Sequence, residues 1–143
     1  MSFLKLTFIL AIAIAAATMA LAAPPAANHP IIGTWKITAP DGKCAEIYQF
    51  RPDGTTRVTS GEEVAESVYT VSPAPSAKGF YKVIDKVIKD NGKPDCSGEI
   101  TKPSETSTRF ILFQPAGQTF DMCQGEAIDS CIGPFVRLRS QDS

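Results

Sequence analysis

The chain has 143 residues, four cysteines, one histidine and a formal net charge of −1. Its length suits one compact domain, and its charge excludes an electrostatically driven nucleic-acid binder. No glycine-rich phosphate loop, calcium loop or N-x-S/T acceptor occurs.

Residues 1–22 carry a single cation, Lys5, followed by an uncharged run that ends in small residues, the three-part form of a secretory signal peptide. Ala20 and Ala22 supply the small side chains that signal peptidase selects, so cleavage after Ala22 is expected. An uncleaved anchor is the alternative, because the run is close to bilayer-spanning length. No cysteine follows it to carry a lipid. Loss of Lys5 with the leader takes the net charge to −2 and leaves about 121 residues, enough for one modest core. The expected product is a periplasmic or secreted monomer with no inserted membrane segment. Residues 23–30, APPAANHP, hold three prolines and one packable side chain, His29, and read as an extended, mobile arm before a domain over 31–143.

From Ile31 to Arg139, short β-branched and aromatic runs alternate with turn signals at roughly the 8–12-residue spacing of an all-β protein. Strands are expected at 32–38, 44–50, 55–60, 66–72, 80–89, 97–101, 108–113, 118–123 and 133–139. Pro40-Asp41-Gly42, Pro52-Asp53-Gly54, Asn91-Gly92 and Pro115-Ala116-Gly117 are the turn signals between them. Val83, Ile84, Val87 and Ile88 also fit a helical spacing, but β-branching and the following Asn-Gly favour a strand. In 108–113, Phe110 and Leu112 share one face and Ile111 and Phe113 the other. Eight or nine short antiparallel strands need closure or a second sheet, so the expected fold is an all-β antiparallel barrel, with a β-sandwich as the alternative.

All four cysteines lie beyond the leader, as an oxidising compartment requires. Cys123 and Cys131 sit near the ends of consecutive strand-like segments that a short loop brings together, which favours their pairing and leaves Cys44 with Cys96. No C-x-x-C occurs, so metal ligation and redox chemistry are not expected.

The first strand contains Gly33-Thr34-Trp35, with the only tryptophan of the chain, and the last contains Arg137-Leu138-Arg139. This pattern resembles lipocalins and related small bacterial β-barrels. The resemblance implies that Trp35 plugs the closed end of the barrel beneath a guanidinium, from Arg137 or Arg139. It spans nearly the whole domain but lacks the T-D-Y signature and the helix after the last strand. A second resemblance, in size, leader, disulfide and G-x-W, is to small periplasmic barrels that inhibit secreted hydrolases, some of them through an N-terminal tail.

Catalysis is poorly supported, because the lone His29 precedes the domain and no Ser-His, Cys-His or His-metal set can be assembled. Glu46, Glu99, Asp121 and Glu126 could meet in space, although alternation with apolar residues reads them as solvated strand exteriors. Glu62, Glu63 and Glu66 read as a solvated loop. Binding remains: Tyr48, Phe50, Tyr69, Tyr81, Phe110 and Leu112 could line a barrel interior, and residues 72–79 form a proline-stiffened loop that could overhang its mouth. The expected function is a non-enzymatic carrier of a small apolar or amphipathic molecule, without metal or cofactor. The alternative is an interaction protein inhibiting a secreted hydrolase.

Overall fold

A computed structural model describes residues 23–139; the leader expected at 1–22 lies outside the described residues. Eight antiparallel strands follow in chain order: β1 (Gly33–Thr38), β2 (Ala45–Phe50), β3 (Thr55–Ser60), β4 (Glu63–Val71), β5 (Tyr81–Asp90), β6 (Thr106–Phe113), β7 (Thr119–Cys123) and β8 (Cys131–Leu138). Each pairs with the next, and β8 pairs back onto β1 through Thr34 with Leu138, Trp35 with Arg137 and Lys36 with Val136. The sheet is therefore a closed barrel, in which the backbone groups of the first and last strands satisfy each other and leave no edge.

Local turn chemistry accounts for the register of the short hairpins. In residues 51–54 the amide of Gly54 donates to the Arg51 carbonyl at 3.2 Å, and the Asp53 carboxylate accepts from the Thr55 amide at 2.9 Å. The turns after β1 and β6 close the same way, Gly42 donating to Ala39 and Gly117 to Gln114. β5 is a strand throughout: Val83 and Val87 point inward while Ile84 and Ile88 are exposed. A helix would have placed all four together; the pleat divides them.

Two expectations about the connections are corrected. Residues 97–101 are not a strand but part of the long β5–β6 loop, residues 91–105. Its backbone is turned back on itself by the Asp95 carboxylate, which accepts from the Ser97 and Glu99 amides and from the Ser97 hydroxyl. Asn91-Gly92 likewise closes no hairpin: the Asn91 side chain bonds the Val64 amide and the Glu62 carbonyl, tying the loop to β4. The other loop, residues 72–79, lies at the opposite end of the barrel from the mouth, since it joins the end of β4 to the start of β5.

The two ends of the barrel differ in chemistry. One end is closed by aromatic packing around Trp35, which is 0% exposed. Its Nε1 donates to the Ile31 carbonyl at 2.7 Å, and the Arg137 guanidinium lies 4.0 Å from its ring centroid. Arg137 also donates to the Ile32 and Pro30 carbonyls, so it fastens the chain that enters β1. Gly33 is required there: its φ is +137°, and a Cβ would lie 2.5 Å from Arg137 Nη1. Of the two arginines left open by the sequence, Arg137 occupies the stacking position, and Arg139 follows the end of β8.

The arm is not free along its length. His29 is 6% exposed; its Nε2 donates to the Ser72 carbonyl at 3.1 Å and its Nδ1 accepts from the Ile31 amide at 3.2 Å. Acceptance at Nδ1 needs the neutral ring, and burial lowers its pKa below 6.5, outweighing the bond to Ser72, which the cation would also make. The unfolded chain therefore takes up this proton first, and the contribution of His29 to stability, complete above pH 6.5, is lost as pH falls below it. Chemical unfolding from pH 7.5 to 5.5 is expected to show a loss, at most about 1.4 kcal/mol per pH unit, that His29→Gln lacks. Identical pH profiles for the two proteins would mean that the ring titrates as if in water.

The other end is open and carries both disulfides. Cys44–Cys96 joins the β1–β2 loop to the 91–105 loop, and Cys123–Cys131 links facing residues of β7 and β8. Two disulfides fit an oxidising, extracellular-type compartment. Among the described residues no helix is long and apolar enough to cross a membrane.

Candidate functional site

Between the aromatic plug and the open end the barrel encloses a cavity of about 290 Å³. Its floor is aromatic. Phe120 stacks on Phe135 at 4.7 Å beneath Trp35, and Tyr48 meets Phe135 edge-on at 5.3 Å. Tyr48 and Phe50 turn their other sides to the cavity, joined by Val58, Val83, Val87, Ile111 and Met122.

The six aromatic and aliphatic residues named from the sequence divide into three pairs. Tyr48 and Phe50 line the cavity. Tyr69 and Tyr81 face inward but lie in the plug: Tyr69 is buried with its hydroxyl donating to the Arg51 carbonyl at 2.9 Å, and Tyr81 packs against His29 and Phe113. Burial pushes the Tyr69 phenol up to about 12. Phe110 and Leu112 do not line the interior; β6 turns Ser107, Arg109 and Ile111 inward, one residue out of phase with that reading. Both faces of this strand are apolar near its end, so alternation alone could not choose between them.

The upper wall is polar and acidic, which the sequence reading missed. Six carboxylates, from Glu46, Glu63, Asp85, Asp95, Glu99 and Glu105, line the cavity with one guanidinium, Arg109. The solvated readings of Glu46, half-buried, and Glu63, buried, are thus corrected, whereas Glu99 is exposed at the rim of the cavity, as expected. Asp121 is outside, accepting from the Gln114 side chain, and Glu126 lies in the β7–β8 loop away from the cavity. Glu62 is exposed, and Glu66 pairs with Arg57 on the outer surface at 3.1 Å. The signal was parity: Glu46 shares the face of Tyr48 and Phe50, and Glu63 that of Ala65, Ser67 and Tyr69.

These carboxylates differ in how well they are satisfied. Glu46 accepts from the Tyr48 hydroxyl at 2.7 Å and from the Ser60 hydroxyl at 2.9 Å, and Ser60 in turn accepts from the Cys96 amide. Burial, reinforced by Glu46, pushes the Tyr48 phenol well up. Asp95 is consumed by the turn of its own loop, whose hydrogen bonds outweigh its partial burial and lower its pKa. Asp85 is raised by burial, against the pull of the Ser67 hydroxyl and Arg109. Glu63 is different. It is 5% exposed, its Oε1 has no donor facing it, and burial raises its pKa against a bond from Thr101, with the nearby Asp90 and Asp95 charges and a carboxyl–carboxyl contact with Asp90 adding to the rise. Asp90 Oδ2 and Thr56 Oγ1, the latter on a residue 1% exposed, are also buried without partners.

The 91–105 loop covers this acidic wall. It is held by Cys44–Cys96, by the Glu62 amide on the Pro94 carbonyl, and by close packing on Gly61, where φ is +58° and a Cβ would sit 3.1 Å from the Asp95 backbone. A wider depression beside Pro24, Val68, Ile84 and Lys86 lies on the outer surface and holds no such cluster. Among the described residues no three His, Cys, Asp or Glu side chains are grouped to share a metal ion.

No family model matches the chain, nor does any curated protein or any solved structure. The class is therefore carried by the coordinates: an eight-stranded antiparallel up-and-down barrel with one plugged end, one open end partly covered by the 91–105 loop, and a small internal cavity.

Proposed function

We propose that this is an exported, lipocalin-like, non-enzymatic binding protein that holds one small molecule inside the barrel, after removal of a signal peptide at residues 1–22. The observation that carries the reading is the cavity of about 290 Å³, set between a filled plug and a disulfide-held lid. Its size is near the lower end of small-molecule sites, roughly 300–1,000 Å³. A barrel built only for stability has no need of a void, because lost packing is destabilising. Of the apolar or amphipathic ligands expected from the sequence, a wholly apolar one fits the lining poorly: the floor is apolar, but the wall above it bears charges that such a ligand would desolvate without pairing. An amphipathic molecule matches both.

The lone histidine is consumed at the plug, at the far end of the barrel from the cavity, which supports binding over acid–base catalysis by an imidazole. An inhibitor working through a free N-terminal tail gains nothing from a segment whose His29 is buried and doubly bonded.

Native mass spectrometry of the protein purified from its export compartment tests the reading. A retained molecule of small mass is expected, and Ala65→Phe, which places a ring into the cavity from β4, is expected to abolish it. Bare wild-type protein, or the same adduct on the Ala65→Phe variant, would place function elsewhere.

A further inference from the structure

We propose that the ligand is a small primary ammonium compound whose charged head sits against Glu63, which the neighbouring Asp90 backs with a second carboxylate, and whose carbon body lies on Tyr48, Phe50 and Val87. This rests on the cavity being a binding site and goes further in naming the chemistry.

The acidic surplus alone would not decide it. Glu46 and Asp95 are already bonded to neighbouring hydroxyl and amide groups, and Asp85 has Ser67 and Arg109. Of the carboxylates lining the cavity, Glu63 is the buried one left with a free oxygen, and beside it on β5, just behind the lining, Asp90 has another; each has one buried oxygen that accepts from no donor group. Carboxylate oxygens are acceptors only, so two facing each other need a proton or a cation between them. A shared proton between Glu63 and Asp90 would satisfy that one contact, but it leaves the charge of the nearby, partly buried Asp95 unanswered. An ammonium brings a full positive charge and three donors. The neighbouring orphan hydroxyl, Thr56 Oγ1, lies deeper beside Phe50, with which Thr56 is paired across β2 and β3. It is placed to meet a polar substituent further along the same molecule. The cavity carboxylates are spread over strands and lid, with no three gathered on one point. That arrangement suits an extended organic cation rather than a metal ion, whose ligands must converge.

Isothermal titration calorimetry of the exported protein at pH 7.5 and low salt tests this with four probes of defined charge: hexylamine, hexan-1-ol, hexanoate and calcium chloride. Hexylamine is expected to bind at least about tenfold more tightly than hexan-1-ol, with no detectable binding of hexanoate. Glu63→Gln keeps the shape of the side chain and is expected to bring hexylamine down to the affinity of hexan-1-ol while leaving the alcohol unchanged. Asp90→Asn provides the same readout should the first variant fold poorly. Equal binding of amine and alcohol to the wild type would overturn the ammonium assignment and leave the cavity reading standing. So would an unchanged preference in both variants, or calcium displacing hexylamine. Failure of amine and alcohol alike, with Ala65→Phe matching the wild type, would remove both readings.

Discussion

Replacing Trp35 with alanine is expected to destabilise the protein by about 3–5 kcal/mol, the range for a fully buried large aromatic. The indole is 0% exposed and meets Phe120 at 4.6 Å. Its removal also leaves the Ile31 carbonyl without the Nε1 donor and Arg137 without the ring it covers. Phenylalanine at this position restores most of the packing but not the hydrogen bond, so Trp35→Phe should lie between wild type and Trp35→Ala in urea melts. A loss near zero for Trp35→Ala would mean that the plug is not part of the cooperative core. Because Arg137 holds the Pro30 and Ile32 carbonyls as well as the indole, the tryptophan and the arginine should be coupled. In a double-mutant cycle with Arg137→Ala, the losses are expected to add to less than their sum.

The second large effect is expected at the mouth. Replacing both Cys44 and Cys96 with serine opens a link between residues 52 apart in sequence, and the chain-entropy relation puts the loss at about 4 kcal/mol. The same change at Cys123 and Cys131, 8 apart, should cost about 2.5 kcal/mol. The first pair has a further consequence that the second lacks. Cys96 anchors the loop whose Asp95, Glu99 and Glu105 face the cavity, so its loss should speed amide exchange in residues 91–105 and weaken ligand retention. Unchanged exchange in that loop would show that the Ser60 and Pro94 hydrogen bonds hold the lid without the covalent tie. Denaturant unfolding of the two double variants, with hydrogen exchange on the first, measures both effects.

The barrel was legible because its causes are local. Proline-Asp-Gly turns and period-2 alternation act over a few residues, and they located most of the strands before any long-range contact was considered. The segment 97–101 failed for a tertiary reason: its apolar and β-branched residues suggested pairing, but Asp95 and the disulfide at Cys96 hold the chain as a lid instead. In the site, Tyr48 and Phe50 could be found, since aromatic residues on an alternating strand point to an interior. Glu63 could not be found by residue type, because a glutamate beside another after a glycine reads as solvent-facing. Only its shared parity with Ala65 and Tyr69 hinted otherwise.

By itself the sequence determined the strand-forming segments, the short turns and the chemical identity of the plug, because backbone propensity, pleat and glycine conformation are properties of neighbouring residues. Three features were decided only by the tertiary structure. One was the face of β6 that turns inward, since two apolar faces carry no preference until the barrel closes. Another was the choice of Arg137 to cover Trp35, which rests on the β1–β8 register that pairs them. The last was the acidic wall, which exists only because three strands and the 91–105 loop bring to one cavity carboxylates that lie as far apart in the chain as Glu46 and Glu105.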